Sequence, residues 1–338
     1  MLWNLDGTLL RTLHRTNSTP KSEVIASTNA DKTVSSLSID GKFLRTLKGH
    51  KISVYRVSFS PDGKTIASAS ADRTVRLWNL DGTLLRTLEG HNGQVYEASF
   101  SPNGEMIASA SFDGTVKLWS IDGTLLRTLK GHNDLVSGVS ISPNGDLIDT
   151  ASYDQPIKIW KLDGTLWITL KSHTKQVFQV IFSPNGEMIA STAADRTLRI
   201  WNLEGKLLQT IRDHRKLVYK VSFSPDSKMI ASTGSDKTIK LWNVDDGSLV
   251  RSIEEHSGRV WGVSFSPDGK MLASASADKT IKLWGTDPED LILDLDVKLD
   301  NLLKKGCNWI RDYLKTNPNV SESDRNLCDD ICSPQEIE

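Results

Sequence analysis

Histidine and aspartate are the residues of this 338-residue chain that offer chemistry in numbers, and both recur at fixed intervals. His50, His91, His132, His173, His214 and His256 account for six of the seven histidines. Asp72, Asp113, Asp154, Asp195, Asp236 and Asp278 keep the same interval. Imidazoles and carboxylates together suit metal ligation or general acid–base work, and paired carboxylates suit hydrolysis. The spacing argues against all of these. Trp78, Trp119, Trp160, Trp201, Trp242 and Trp284 are separated by steps of 41, 41, 41, 41 and 42, and each histidine lies 28 residues before its tryptophan. A group that appears once per period is placed once per structural unit. The histidines then stand apart, and no two aspartates need share a water. A period in the 40–45 range with strand-like runs signals an array of small sheets, which offers a binding surface rather than a catalytic cavity.

The elements that hold these residues can be read from 49–89. Four short runs, Val54–Ser60, Thr65–Ser70, Val75–Trp78 and Leu84–Thr87, are rich in β-branched and apolar residues and bounded by turn formers. Ser60-Pro61-Asp62-Gly63 forms a turn, with proline pre-setting φ and glycine accepting a positive φ. Asp81-Gly82 fits a two-residue hairpin in which both residues take positive φ. Ala71-Asp72-Arg73-Thr74 makes the third connection. Each period therefore encodes a four-stranded antiparallel meander. One such sheet cannot bury both faces alone, but radial stacking against neighbours can.

The Gly-His pairs at 49–50, 90–91 and 131–132, the SFSPDG and SFSPNG turns, the stretch ASASADRTVRLW and the spacing together resemble WD40 repeats, over roughly residues 1 to 285. The aspartate that commonly follows the tryptophan is absent; Asn79, Ser120, Lys161, Asn202, Asn243 and Gly285 stand there. The resemblance implies an all-β, seven-bladed propeller of four-stranded blades. It also implies that a histidine, a hydroxyl, an aspartate and a tryptophan are hydrogen-bonded within each blade. The matching sets are His50, Ser68, Asp72 and Trp78; His91, Ser109, Asp113 and Trp119; His132, Thr150, Asp154 and Trp160; His173, Ser191, Asp195 and Trp201; His214, Ser232, Asp236 and Trp242; and His256, Ser274, Asp278 and Trp284. Buried polar groups of these kinds cost roughly 1–3 kcal/mol each when unpaired, so the set is expected to be structural.

Six full repeats span 49–285. A degenerate blade at 14–48 precedes them, retaining Ser27 and Asp31, with Leu37 in place of tryptophan and about seven residues missing before it. Residues 1–13 read as the end of a further repeat. The simplest closure sets Leu9–Leu13 beside Ile281–Trp284 as the outer strand of the last blade, within a propeller of residues 1–286. The rival places Leu291–Leu295 there. Residues 287–338 form a tail in which Leu295, Leu299, Leu302, Leu303, Ile310 and Leu314 recur at helical spacing. The expected helix runs from about Leu295 to Lys315, and either packs on the propeller or binds a partner. Its segment GCNWIRDYLKTNPNVSESDRNLC resembles the tail of cyanobacterial WD40-repeat proteins, whose arrays often follow signalling or nucleotide-hydrolysing domains.

A formal net charge of −1 argues against a strongly basic nucleic-acid surface. No 18-residue apolar run or signal-peptide pattern points to a membrane or to secretion. Cys307, Cys328 and Cys332 all lie in the tail and read as free cytosolic thiols. No motif for a nucleotide, a cofactor or a metal is present. The expectation is a cytoplasmic, monomeric, non-catalytic scaffold that binds a protein or peptide. A sensor module of a larger signalling protein and, from another class, a propeller enzyme are the alternatives.

Two groups of residues are candidates for the contact surface. The resemblance implies contacts just before each blade aspartate, at Ala30, Ala71, Phe112, Tyr153, Ala194, Ser235 and Ala277, where Phe112 and Tyr153 stand out by size. It also places Tyr55, Tyr96, Ser137, Phe178, Tyr219 and Trp261 near the mouth of the central channel, followed by the varied Arg56, Glu97, Gln179 and Lys220. Aromatics there either line a recognition rim or fill the space between blades.

Overall fold

The computed structural model of the protein describes residues 2–3, 9–11, 24–28, 32–38, 43–266, 268–278 and 280–286. The chain divides into two units, Met1–Lys282 and Leu283–Glu338; all the complete sheets lie in the first, and 283–286 of the second are described. The tail helix, the rival strand at Leu291–Leu295 and the three cysteines fall outside the described residues.

Five consecutive four-stranded antiparallel sheets follow the chain in order. Blade 1 comprises Val54–Phe59, Thr65–Ser70, Val75–Asn79 and Leu84–Leu88. Blades 2 to 5 repeat it from Val95, Val136, Val177 and Val218. Among the described residues blade 6 has three strands, Val260–Phe265, Met271–Ser276 and Ile281–Gly285. Another three-stranded sheet, Val24–Thr28, Thr33–Ser38 and Phe43–Lys48, precedes blade 1 and corresponds to the shortened repeat. Among the described residues this sheet has no strand before Val24–Thr28.

Burial explains why these runs are strands. The second strand of each blade is covered on both faces, and its small residues, such as Ala67, Ala69, Ala108 and Ala110, let the next blade approach. Ala67, Ala69, Val75, Leu77 and Leu88 of blade 1 form one apolar cluster with Val95, Ala98, Phe100, Ile107 and Trp119 of blade 2. The same pattern recurs between blades 2 and 3, 3 and 4, and 4 and 5. Trp119, Trp160, Trp201 and Trp242 are thus each part of the joint with the preceding blade. The outer strands are half covered, leaving Leu84, Leu125, Leu166, Trp167 and Leu249 exposed.

The inner strand carries one regular irregularity. Val54 pairs with Ser70 and Arg56 with Ala69, so Tyr55 is an extra residue in the ladder. The same bulge falls at Tyr96, Ser137, Phe178, Tyr219 and Trp261. A bulge re-aims the side chains around it. That local feature decides which residues reach the mouth of the channel.

Two expectations are corrected. The Asp81-Gly82 connection has Gly82 alone at positive φ (91°), with Gly82 N–H donating to Asn79 and Asn79 N–H to Thr83. It is a three-residue loop with a glycine bulge rather than a two-residue hairpin, because aspartate stays in the ordinary helical region and only glycine takes the left-handed one. Second, Leu9–Arg11 pairs with Leu2–Trp3 in a two-stranded sheet, and the sheet holding Ile281–Gly285 does not include it. Leu9–Arg11 instead lies against Val24–Thr28, Val54–Phe59 and the inner strand of blade 6, Val260–Phe265. Among the described residues the shortened blade has no strand ahead of Val24–Thr28, and Leu9–Arg11 lies beside that edge.

Candidate functional site

The histidine sets form a directed chain of hydrogen bonds. In blade 1, Trp78 Nε1 donates to Ser68 Oγ at 2.8 Å. Ser68 Oγ lies 2.7 Å from His50 Nε2, and His50 Nδ1 lies 2.8 Å from Asp72 Oδ2. A carboxylate only accepts, so Nδ1 carries the proton, and in the neutral ring Nε2 accepts from the serine hydroxyl. Asp72 also accepts from Lys51 N–H, Thr74 N–H and Thr74 Oγ1. The relay recurs through Ser109, Thr150, Ser191 and Ser232. In blade 6, His256 reaches Ser274 and Asp278, and Trp284 is buried on the last strand.

Burial works against ionisation of Asp72. The bonds from His50, Thr74 and Lys51 outweigh it and hold the carboxyl well below the usual carboxylate range. Asp113, Asp195, Asp236 and Asp278 are lowered in the same way. Burial lowers His132, His173 and His256 below the ordinary imidazole value, against the pull of their aspartates. The six histidine side chains are 1–2% exposed and each bonds within its own blade. No substrate reaches such a ring. Among the described residues no group of histidine, cysteine and carboxylate side chains is arranged to hold a metal ion.

The relay also positions the contact loops. Ala71, Phe112, Tyr153, Ala194, Ser235 and Ala277 each donate a backbone N–H to the loop entering their own blade, as from Phe112 to Gln94 at 2.8 Å and from Tyr153 to Leu135 at 3.1 Å. Ala30 lies outside the described residues.

Phe112 and Tyr153 join different aromatic groups. Phe112 stacks on Tyr55 of blade 1 and Tyr96 of its own blade, with centroids 6.1 and 5.8 Å away, and Tyr55 meets Tyr96 at 5.3 Å. Tyr153 meets Phe178 edge-on at 5.9 Å; Phe178 meets Tyr219 at 5.5 Å, and Tyr219 meets Trp261 at 4.7 Å. Blade 3 presents Ser137 at the arc position, and its loop residue Tyr153 supplies the aromatic instead. All seven rings keep part of their surface exposed, Phe112 most at 38%. They pack on one another and still offer open faces, so the rim and filler readings are not exclusive.

Inside this arc lies a cavity of about 390 Å³, lined by the inner strands of blades 1 to 6. Arg56 Nη1 donates to Glu97 Oε1 at 2.8 Å, and the Arg56 guanidinium lies over the Tyr96 ring at 5.0 Å. Gln179 Oε1 accepts from Val221 N–H of the next blade at 2.9 Å. Lys220 lines the same wall.

Asp149 was not legible as special in the repeat pattern. It occupies the position of Ala67, Ala108, Ala190 and Ala231, is fully buried, and neither carboxyl oxygen has a hydrogen-bond partner. Burial, and then the charge of Glu97, raises its pKa well above the carboxylate range. The signal available in the sequence was a carboxylate where sister repeats carry alanine.

The family described as "WD domain, G-beta repeat" matches residues 41–79, 82–120, 123–161, 164–202, 205–243 and 247–285. Each matched segment begins on the outer strand of one blade and ends on the third strand of the next. No curated protein matches the chain significantly. The match covers more than half of the sequence and coincides with the blades and their relays, and the chain belongs to the WD40-repeat family.

Proposed function

We propose that the protein is a non-catalytic platform that grips a peptide segment of a protein partner at the aromatic mouth of its channel. WD40 repeats generally serve as scaffolds for protein–protein interaction. The observation that carries the reading is the pair of ring clusters, in which Tyr55, Tyr96, Tyr153, Phe178, Tyr219 and Trp261 line one cavity and Phe112 stacks on the first two. Aromatics with open faces bury large areas at low entropic cost and make good anchors. A cavity of this size takes one or two side chains of an inserted segment rather than a domain.

The ring belonging to this reading has seven blades, with the three-stranded sheet at Val24–Lys48 as the seventh. Seven successive sheets of three or four strands support it. A position for Leu9–Arg11 at the inner edge of that blade is supported by its lying against Val24–Thr28, Val54–Phe59 and Val260–Phe265. The likeness of the C-terminal segment to tails of cyanobacterial WD40 proteins supports a cytoplasmic partner in a signalling setting.

The test is affinity capture from lysate of the source cells, with Tyr219→Ala/Trp261→Ala and Phe112→Ala/Tyr153→Ala as separate variants. The expected result is loss of a specific partner while the thermal unfolding midpoint stays within a few degrees. Undiminished capture by both variants sinks the reading.

A further inference from the structure

This inference rests on the reading of the channel mouth as the partner site and specifies what enters it. The residue after each bulge is Arg56, Glu97, Gly138, Gln179, Lys220 and Gly262 in blades 1 to 6. These positions share one level of the channel. Arg56 and Glu97 satisfy each other, and Glu97 Oε2 also accepts from Val139 N–H at 3.4 Å. Gly138 and Gly262 leave the level without side chains. Lys220 is then the one charge at this level with no partner among the described residues. The residue as a whole is 8% exposed and lines the cavity, so its ammonium is presented to the cavity with little of the side chain in bulk water.

Gln179 stands beside it. Its carboxamide reaches across to Val221 N–H, the residue after Lys220, at 2.9 Å. A backbone N–H needs an acceptor, so the amide oxygen is fixed there and the Nε2 donors are turned elsewhere. Nothing among the described residues accepts from them. Two donors, one charged and one neutral, thus line one wall of the cavity on adjacent blades, framed by Phe178, Tyr219 and Trp261. The only carboxylate among the lining residues, Glu97, is already engaged by Arg56.

We propose that Lys220 Nζ and Gln179 Nε2 form a seat for a carboxylate of the bound peptide, supplied by an acidic side chain or by a free C-terminus. A carboxylate has two acceptor oxygens and so matches two adjacent donors, and a charge-assisted bond in a desolvated site is stronger than a neutral one. The aromatic frame admits the apolar residue that flanks the acid.

The full-length protein, labelled with 13C at lysine, is titrated with sodium acetate and observed by NMR, the Lys220 Cε signal being assigned by its absence in Lys220→Met. Saturable movement of that signal with acetate, not matched by chloride, is expected. Movement no larger than with chloride overturns the proposal. Calorimetry then compares three peptides: amidated Gly-Ser-Glu-Trp-Glu-Ser-Gly, its glutamine counterpart amidated, and that counterpart with a free C-terminus. The acidic and free-acid peptides distinguish the two sources of carboxylate, and one of them should bind at least about tenfold more tightly than the neutral peptide. Lys220→Met should abolish that preference. Gln179→Glu should do the same with the fold intact, because one carboxylate oxygen keeps the Val221 bond while the other pairs with Lys220. Equal binding of all three peptides, lost in Tyr219→Ala/Trp261→Ala, overturns the carboxylate seat and leaves the peptide-binding reading standing. Acetate binding at Lys220 with no peptide bound supports the seat and removes that reading.

Discussion

Asp149 and Glu97 oppose each other electrostatically from neighbouring blades. Burial first, and the Glu97 charge second, disfavour the ionised form of Asp149. Glu97 is held by Arg56 at 2.8 Å, whereas the Asp149 oxygens have no partner. The Glu97 charge is paired with Arg56, whereas ionisation of Asp149 is disfavoured.

Replacing Asp149 with the alanine of its sister repeats should stabilise the protein. An unsatisfied buried polar group costs about 1–3 kcal/mol, and ionisation adds to that cost. The sign follows from the raised pKa. The contribution of Asp149 is most favourable below its unfolded value of 3.8 and is lost as pH rises through the folded one. The gain from Asp149→Ala should therefore grow with pH above about 4. Urea unfolding at several pH values measures it, and a gain that shrinks with rising pH would contradict the assignment.

The relays should show the reverse dependence. Asp72, Asp113, Asp195, Asp236 and Asp278 have lowered pKa values, so their contribution is present above the unfolded carboxylate value and lost as pH falls through the folded ones. His132, His173 and His256 are also lowered, so stability begins to fall once pH drops below about 6.5, where the unfolded imidazoles take up protons. Calorimetric midpoints should decline from pH 7 to 5 and more steeply below 4. A flat profile across that range rules out neutral, buried histidines.

Cutting a relay at its centre should cost more than cutting its end. Ser109 accepts from Trp119 Nε1 at 2.8 Å and contacts His91 Nε2 at 2.8 Å, both buried. Ser109→Ala leaves two polar groups unpaired, for about 2–4 kcal/mol, whereas Thr115→Ala removes one bond to Asp113. Chemical denaturation of the two variants decides, and equal losses would mean that the relay does not act as a unit.

Ser227 should tolerate glycine. It holds φ at 63° in a turn where Gly63, Gly104, Gly186 and Gly269 hold the matching position. A non-glycine residue there is strained by about 1 kcal/mol, partly offset by the hydrogen bond that Ser227 Oγ accepts from Asn185 N–H at 3.1 Å. Ser227→Gly should shift stability by less than about 1 kcal/mol in either direction, and a loss of several kcal/mol would place the hydroxyl bond above the backbone strain.

The 41-residue interval made the sheets, the joints and the relays legible, because it pins residue type to position six times over. What it did not carry was direction. Phe112 and Tyr153 occupy equivalent loop positions, but Phe112 packs on Tyr55 of the preceding blade and Tyr96 of its own, whereas Tyr153, whose own blade presents Ser137, packs on Phe178 of the following one. The inner-strand bulge is likewise invisible in an alternating pattern, and it determines that Arg56, Glu97, Gln179 and Lys220 share a level. The closing strand was misplaced for a related reason. Sequence likeness matched Leu9–Leu13 to an outer strand, while the open edge left by the shortened repeat offered another place.

The offset between matched repeat and blade has a mechanical result. Every repeat contributes an edge to one sheet and the interior of the next, so no repeat can melt without taking a strand from its neighbour. The blades are linked like overlapping shingles, each fastened beneath the next. Loosening should then spread around the array instead of staying local, and the six repeats should come apart in one cooperative step.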